Sequence, residues 1–115
     1  MKLVSDILIV IVALLHFFFL YLEMFLWDKP RGMKSFNLTA EFAKQSKRLA
    51  MNQGLYNGFL AAGLLWGLIA GDPVKIFFLS CVIIAGIFGT FTVSKRIFYI
   101  QAVPAILALA LLLIL

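Results

Sequence analysis

A single cysteine, Cys81, excludes an internal disulfide and any CxxC redox pair. Placed in the middle of an apolar run, it reads as a small buried thiol. With one histidine and five acidic residues, the chain has no HExxH and no Ser-His-Asp set. It also has no phosphate-cradling glycine loop, and its residues make a poor transition-metal site, so no metal or cofactor is expected. Charge is scarce as well. Charged residues are 13% of the 115, hydrophobic residues are 64%, and the mean hydropathy is +1.10. A soluble domain of this size has too little polar material to enclose so much Leu, Ile and Phe. Lipid is then the solvent, and backbone polar groups must be satisfied inside helices or a closed barrel. The apolar runs are long and unbroken, which favours helices.

The fold class predicted from these runs is all-α: a polytopic membrane protein, one four-transmembrane-helix bundle over residues 1–115. The spans fall near residues 6–27, 53–70, 74–93 and 97–115, each approaching the roughly 20 residues a bilayer requires. The first run lacks a small-residue cleavage site and ends in Glu23, Trp27 and Asp28, so it reads as a retained helix rather than a signal peptide. Lys29, Arg31, Lys34, Lys44, Lys47 and Arg48 lie in the first connection and Lys95 and Arg96 in the third, against Lys2 and Lys75 on the other side. By the positive-inside rule the basic connection, residues 28–52, is cytoplasmic and both termini are extracytoplasmic. The setting is a plasma membrane crossed several times. Cations confined to a short juxtamembrane segment point to lipid headgroups and not to nucleic acid.

Within that connection, Pro30, Gly32 and Asn37 predict an irregular stretch over residues 28–37. Thr39 is a plausible N-cap with Glu41 in the first turn. Residues 40–51 are then either a surface helix among headgroups or an extension of the second span. No breaker separates Thr39 from Ala70, which favours the extension. Gly54 and Gly58 form a GxxxG pair that Gly63 and Gly67 continue, a spacing that lets helix backbones approach closely in lipid. Packing within the chain is the first reading of these glycines, and a homodimer seam is the second.

Glu23 is the residue that demands an explanation. A carboxyl inside an apolar membrane helix is costly and marks a functional candidate. His16 lies two turns earlier on the same face. Asn52, Gln53, Tyr56 and Asn57 open the second span, with Gln53–Asn57 and Asn52–Tyr56 as i,i+4 neighbours. Counting about 1.5 Å per residue places Glu23, Asn57, Thr90, Thr92, Tyr99 and Gln101 near one height on the cytoplasmic side, with His16 deeper. The candidate binding residues are thus Glu23, His16, Asn52, Gln53, Tyr56, Asn57 and Gln101. His16 and Glu23 are the candidates for acid/base work. An interhelical hydrogen-bond network that only orders the helices is the competing reading.

The string His16-Phe-Phe-Phe-Leu-Tyr-Leu-Glu23-Met-Phe-Leu-Trp27, followed by Asn52-Gln-Gly-Leu-Tyr-Asn-Gly-Phe-Leu-Ala-Ala-Gly63, resembles a bacterial family of small four-helix integral membrane proteins catalogued as a domain of unknown function. Gly86-Ile-Phe-Gly-Thr-Phe-Thr92 and Gln101-Ala-Val-Pro-Ala105 are similar to that family's later motifs. The resemblance covers essentially the whole chain. It implies a four-helix membrane fold with His16, Glu23, Asn52, Gln53, Asn57 and Gln101 at the polar motif positions, and it brings no activity. Three functions stay open: binding or transport of a small molecule around Glu23, a membrane enzyme on a lipid-like substrate using His16 and Glu23, and an accessory subunit of a membrane complex. Membrane lipids are partners in each.

Overall fold

In a computed structural model, which describes residues 2–114, the chain is all-α, with five α-helices and one π-helical turn. They are α1 (Lys2–Phe25), α2 (Pro30–Phe36), α3 (Ala40–Ala70), α4 (Asp72–Thr92), the π turn (Phe98–Ala102) and α5 (Val103–Ile114). The last expected span ended at residue 115, which lies outside the described residues. Two helices, α1 and α4, are long and apolar enough to cross a membrane by length and composition. The segment Phe98–Ile114 is a shorter apolar helix.

Local chemistry sets the breaks. Residues 28–37 are not irregular throughout as expected, because Pro30 starts a short helix at the position where its missing N–H costs nothing. Asn37 ends that helix in the left-handed region at φ 55°, and the Leu38 N–H closes the cap on the Met33 carbonyl at 2.8 Å. The Thr39 hydroxyl accepts the Phe42 N–H at 3.2 Å, the N-cap role its position suggested. From there α3 runs 31 residues without interruption, so residues 40–51 extend the second apolar segment and the supposed loop 28–52 is mostly helical. Gly71 alone joins α3 to α4. Its φ of 113° and ψ of 180° lie in a region that only glycine adopts readily. Gly71→Ala is expected to lower stability by about 1–3 kcal/mol, read as an earlier thermal unfolding midpoint in detergent.

Before α5, the Val103 N–H reaches back five residues to the Phe98 carbonyl. Pro104 follows at once, and its ring nitrogen cannot donate to the preceding turn. A widened turn there absorbs the missing bond, as π-bulges do elsewhere.

The chain forms two compact units, one of residues up to Leu14 with those from Leu60 onward, the other of Leu15–Phe59. In the first, segments of α1, α3, α4 and α5 share a core of Ile9, Val12, Ala13, Ala61, Leu64, Leu79, Val82, Ala105, Ala108 and Leu112. Small residues bring helices close here: a Cβ on Gly86 would sit 2.9 Å from the Ala102 backbone nitrogen. The buried Ser5 hydroxyl donates to the Ala108 carbonyl at 2.8 Å and ties α1 to α5. In the second unit, the later part of α1 runs against α3, with α2 beside them. A Cβ on Gly32 would overlap the Leu26 carbonyl, so only glycine lets α2 lie against the end of α1.

Candidate functional site

Glu23 is 7% exposed and Asn57 6% exposed, and the Asn57 Nδ2 donates a hydrogen bond to Glu23 Oε1. Two features of the sequence put them together. On α3, Gly54 and Asn57 are one turn apart, and a Cβ on Gly54 would sit 3.2 Å from the Glu23 Cβ and 3.3 Å from the Leu20 carbonyl oxygen. The missing side chain at 54 draws the two helices together; the amide at 57 then reaches the carboxyl. Gly58 serves the same contact, since a Cβ there would press on the Leu20 side chain. The small-residue spacing therefore works in packing inside the chain. Gly63 and Gly67 do likewise in the other unit, against the Phe78 ring and the Lys75 backbone.

The remaining sequence candidates are distributed differently. His16 is fully buried on α1 and meets the Phe19 ring edge-on at 5.4 Å between centroids. Seven residues of helix separate it from Glu23, about 10 Å along the axis. The two would act on separate atoms rather than share a proton directly. Asn52, Gln53 and Tyr56 are exposed, Tyr56 at 54%, and do not enter the buried pair. Gln101 sits half-buried in the π turn of the other unit. The Thr90 and Thr92 hydroxyls donate to the Gly86 and Phe88 carbonyls of their own helix, each at 2.8 Å. Helical threonines commonly satisfy themselves this way.

Two polar groupings were not foreseen. In the first unit Lys75 is 5% exposed, with its ammonium 2.8 Å from Asp6 and 3.6 Å from Asp72, while Lys2 pairs with Asp72 at 2.8 Å. By their place in the sequence Lys2 and Lys75 are topology signals only. The i,i+3 spacing of Asp72 and Lys75 was visible, but Asp6 lies 69 residues from its partner. In the second unit, the Trp27 indole donates to the Ser46 hydroxyl at 3.0 Å and stacks near Phe36 at 4.9 Å. Beside it Lys47 lies 3.1 Å from Asp28, and its hydrogen bond holds the Asp28 carboxyl below the usual carboxylate range. Among the described residues no group of three or more His, Cys, Asp or Glu is placed to hold a metal ion.

Glu23 thus differs from the other half-buried or buried acids. Asp6, Asp28 and Asp72 each face a lysine, while Glu23 faces a neutral amide. The family model for a protein of unknown function, DUF1304, matches residues 10–113 and so takes in both members of this pair. The chain belongs to the DUF1304 family. It is similar to the uncharacterized protein YpaA of Lactococcus lactis, at 32% identity over 114 residues, which is 95% of this chain and 96% of that one. No solved structure matches it.

Proposed function

We propose that this DUF1304 protein is an integral protein of the plasma membrane, crossing it four times with both termini outside, and that it binds or transports a small solute at the Glu23–Asn57 pair. The membrane part is supported by where the apolar side chains lie. The most apolar stretches of α1 and α4 are only 28% and 22% buried, whereas a core helix of a soluble protein would be mostly covered. Ile69, Phe88 and Phe91 are 89%, 68% and 84% exposed. An apolar surface this extensive needs a lipid or protein cover. The distribution of Lys and Arg supports the orientation.

One observation carries the solute site: a buried carboxyl, hydrogen-bonded to a neutral amide from a neighbouring helix, with no ion pair among the described residues. A purely structural contact at this depth is made as well by two amides, without the desolvation burden of a carboxyl. A carboxyl is kept where a proton or an incoming polar group must be exchanged. The amide then holds the carboxyl in one orientation between exchanges.

Reconstitution into liposomes tests this. Solute panels, with and without an imposed pH gradient, are expected to reveal a flux that Glu23→Gln reduces at least about tenfold, the equivalent of about 1.4 kcal/mol. Glu23→Asp, which keeps the acid on a shorter stem, should retain part of it. A flux indifferent to Glu23→Gln rules the site out.

A further inference from the structure

We infer that the polar end of the second unit, formed by α2 and the first turns of α3, is a binding surface for the headgroups of anionic phospholipids. This rests on the membrane reading above and is independent of Glu23.

Lys29, Arg31, Lys34, Lys44, Lys47 and Arg48 are all exposed here, against two carboxyl groups, Asp28 and Glu41. Among the described residues only Lys47 has an ion-pair partner, Asp28. The other five cations form no ion pair among the described residues, on a surface that is built rather than floppy. Trp27 is held by Ser46 and Phe36, Asp28 by Lys47, and α2 by the close approach at Gly32. These contacts set Arg31 and Lys34, one turn apart on α2, beside the start of α3. On α3 itself Lys44, Lys47 and Arg48 fall within one arc of the helix, because residues three and four apart share a face.

Exposed apolar side chains on the far side of the same turns point to a lipid rather than a soluble anion. Phe42 and Leu49, seven residues apart, are 54% and 75% exposed, while Ala43 and Ala50 between these arcs are buried. A soluble phosphate gains nothing from an apolar stripe. A phospholipid layer around this end supplies phosphates to the cations on one side and acyl carbon to Phe42 and Leu49 on the other, and the indole of Trp27 suits the boundary between headgroup and acyl chain. Juxtamembrane basic residues are drawn to an anionic leaflet, and the attraction falls off within a Debye length.

Full-length protein in detergent is titrated with phosphatidylglycerol or phosphatidylcholine, and bound lipid is counted by native mass spectrometry. Phosphatidylglycerol should bind more tightly. The combined variant Arg31→Gln, Lys34→Gln, Lys44→Gln, Arg48→Gln, which spares the Asp28–Lys47 pair, should weaken it by about tenfold or more and leave phosphatidylcholine unchanged. Exchanging Arg for Lys and Lys for Arg at those positions should preserve the preference. Should the Gln variant fail to fold, judged from Trp emission, salt titration of the wild type decides, since screening must weaken the preference. Equal retention of phosphatidylglycerol by the Gln variant, a preference indifferent to salt, or displacement by inorganic phosphate at equal concentration overturns the proposal. Should the protein leave washed membranes without detergent, the membrane reading itself fails; membrane retention without lipid preference removes only this inference.

Discussion

Asn57→Leu is expected to destabilise the protein by about 2 kcal/mol, well beyond what its modest change in volume accounts for. The amide is the neighbour whose side chain donates to Glu23, and both groups are nearly sealed from outside. Removing the donor strands a buried carboxyl, and an unsatisfied buried acceptor costs its full desolvation. Replacing both partners reverses the logic. Glu23→Leu with Asn57→Leu leaves nothing polar to satisfy, so the double variant should recover most of the loss and show a coupling energy above about 0.5 kcal/mol. Thermal or denaturant unfolding in detergent, followed by Trp emission, gives the three differences needed. Additive losses would mean that the pair is not coupled and that the polar site has no physical unity. If the proposed solute site is right, the double variant should also have no solute flux while being well folded, which separates that proposed role from the pair's role in stability.

Lys75→Met is expected to cost a further large share of stability, about 2–3 kcal/mol. Lys75 is nearly enclosed, and its ammonium lies between Asp6 on α1 and Asp72 on α4. Methionine fills much of the same space but leaves Asp6 without a cation and Asp72 with only the exposed Lys2. Loss of one member of a buried ion pair generally costs 3–5 kcal/mol, and the lower figure here reflects acids that are each 38% exposed and can rehydrate. Adding Asp6→Asn to Lys75→Met should restore part of the loss, because one uncompensated charge is removed with its partner. Lys2→Met should do much less, since that pair is exposed on both sides and screened by solvent. Equal effects of Lys2→Met and Lys75→Met would show that burial of the network is not what gives it weight.

The residues most legible in advance were those whose chemistry is local. Thr39 caps α3 because a hydroxyl before a helix finds the free N–H groups of its first turn, whatever lies around it. Gly54 and Gly58 were readable as a packing surface, since absence of a Cβ has the same consequence on every helix. The family resemblance rested on strings of this kind and extends over residues 10–113.

Counting residues along a helix gives depth but not which way a side chain faces or what it bonds. Thr90 and Thr92 bond carbonyls of their own helix. Asn52, Gln53 and Tyr56 share a turn with Asn57 yet face outward, because a helix advances about 100° per residue and only one face of that turn meets α1. The short helix at Pro30 was missed for a related reason. Pro, Gly and Asn read as loop formers, although Pro30 starts that helix, Gly32 packs within it and Asn37 stops it.

Composition and periodicity by themselves determined that this chain is helical, that its apolar surface exceeds what its own interior can cover, and that Glu23 is an anomaly. These follow from each residue's affinity for water and from the reach of a helical turn. Only tertiary structure decided that Asn57, 34 residues away, is the partner of Glu23, and that Asp6 and Lys75, 69 residues apart, neutralise each other. Such pairings depend on which helix faces meet, and that is settled by close packing at glycines and small core residues across the whole fold, where no single stretch of sequence holds the answer.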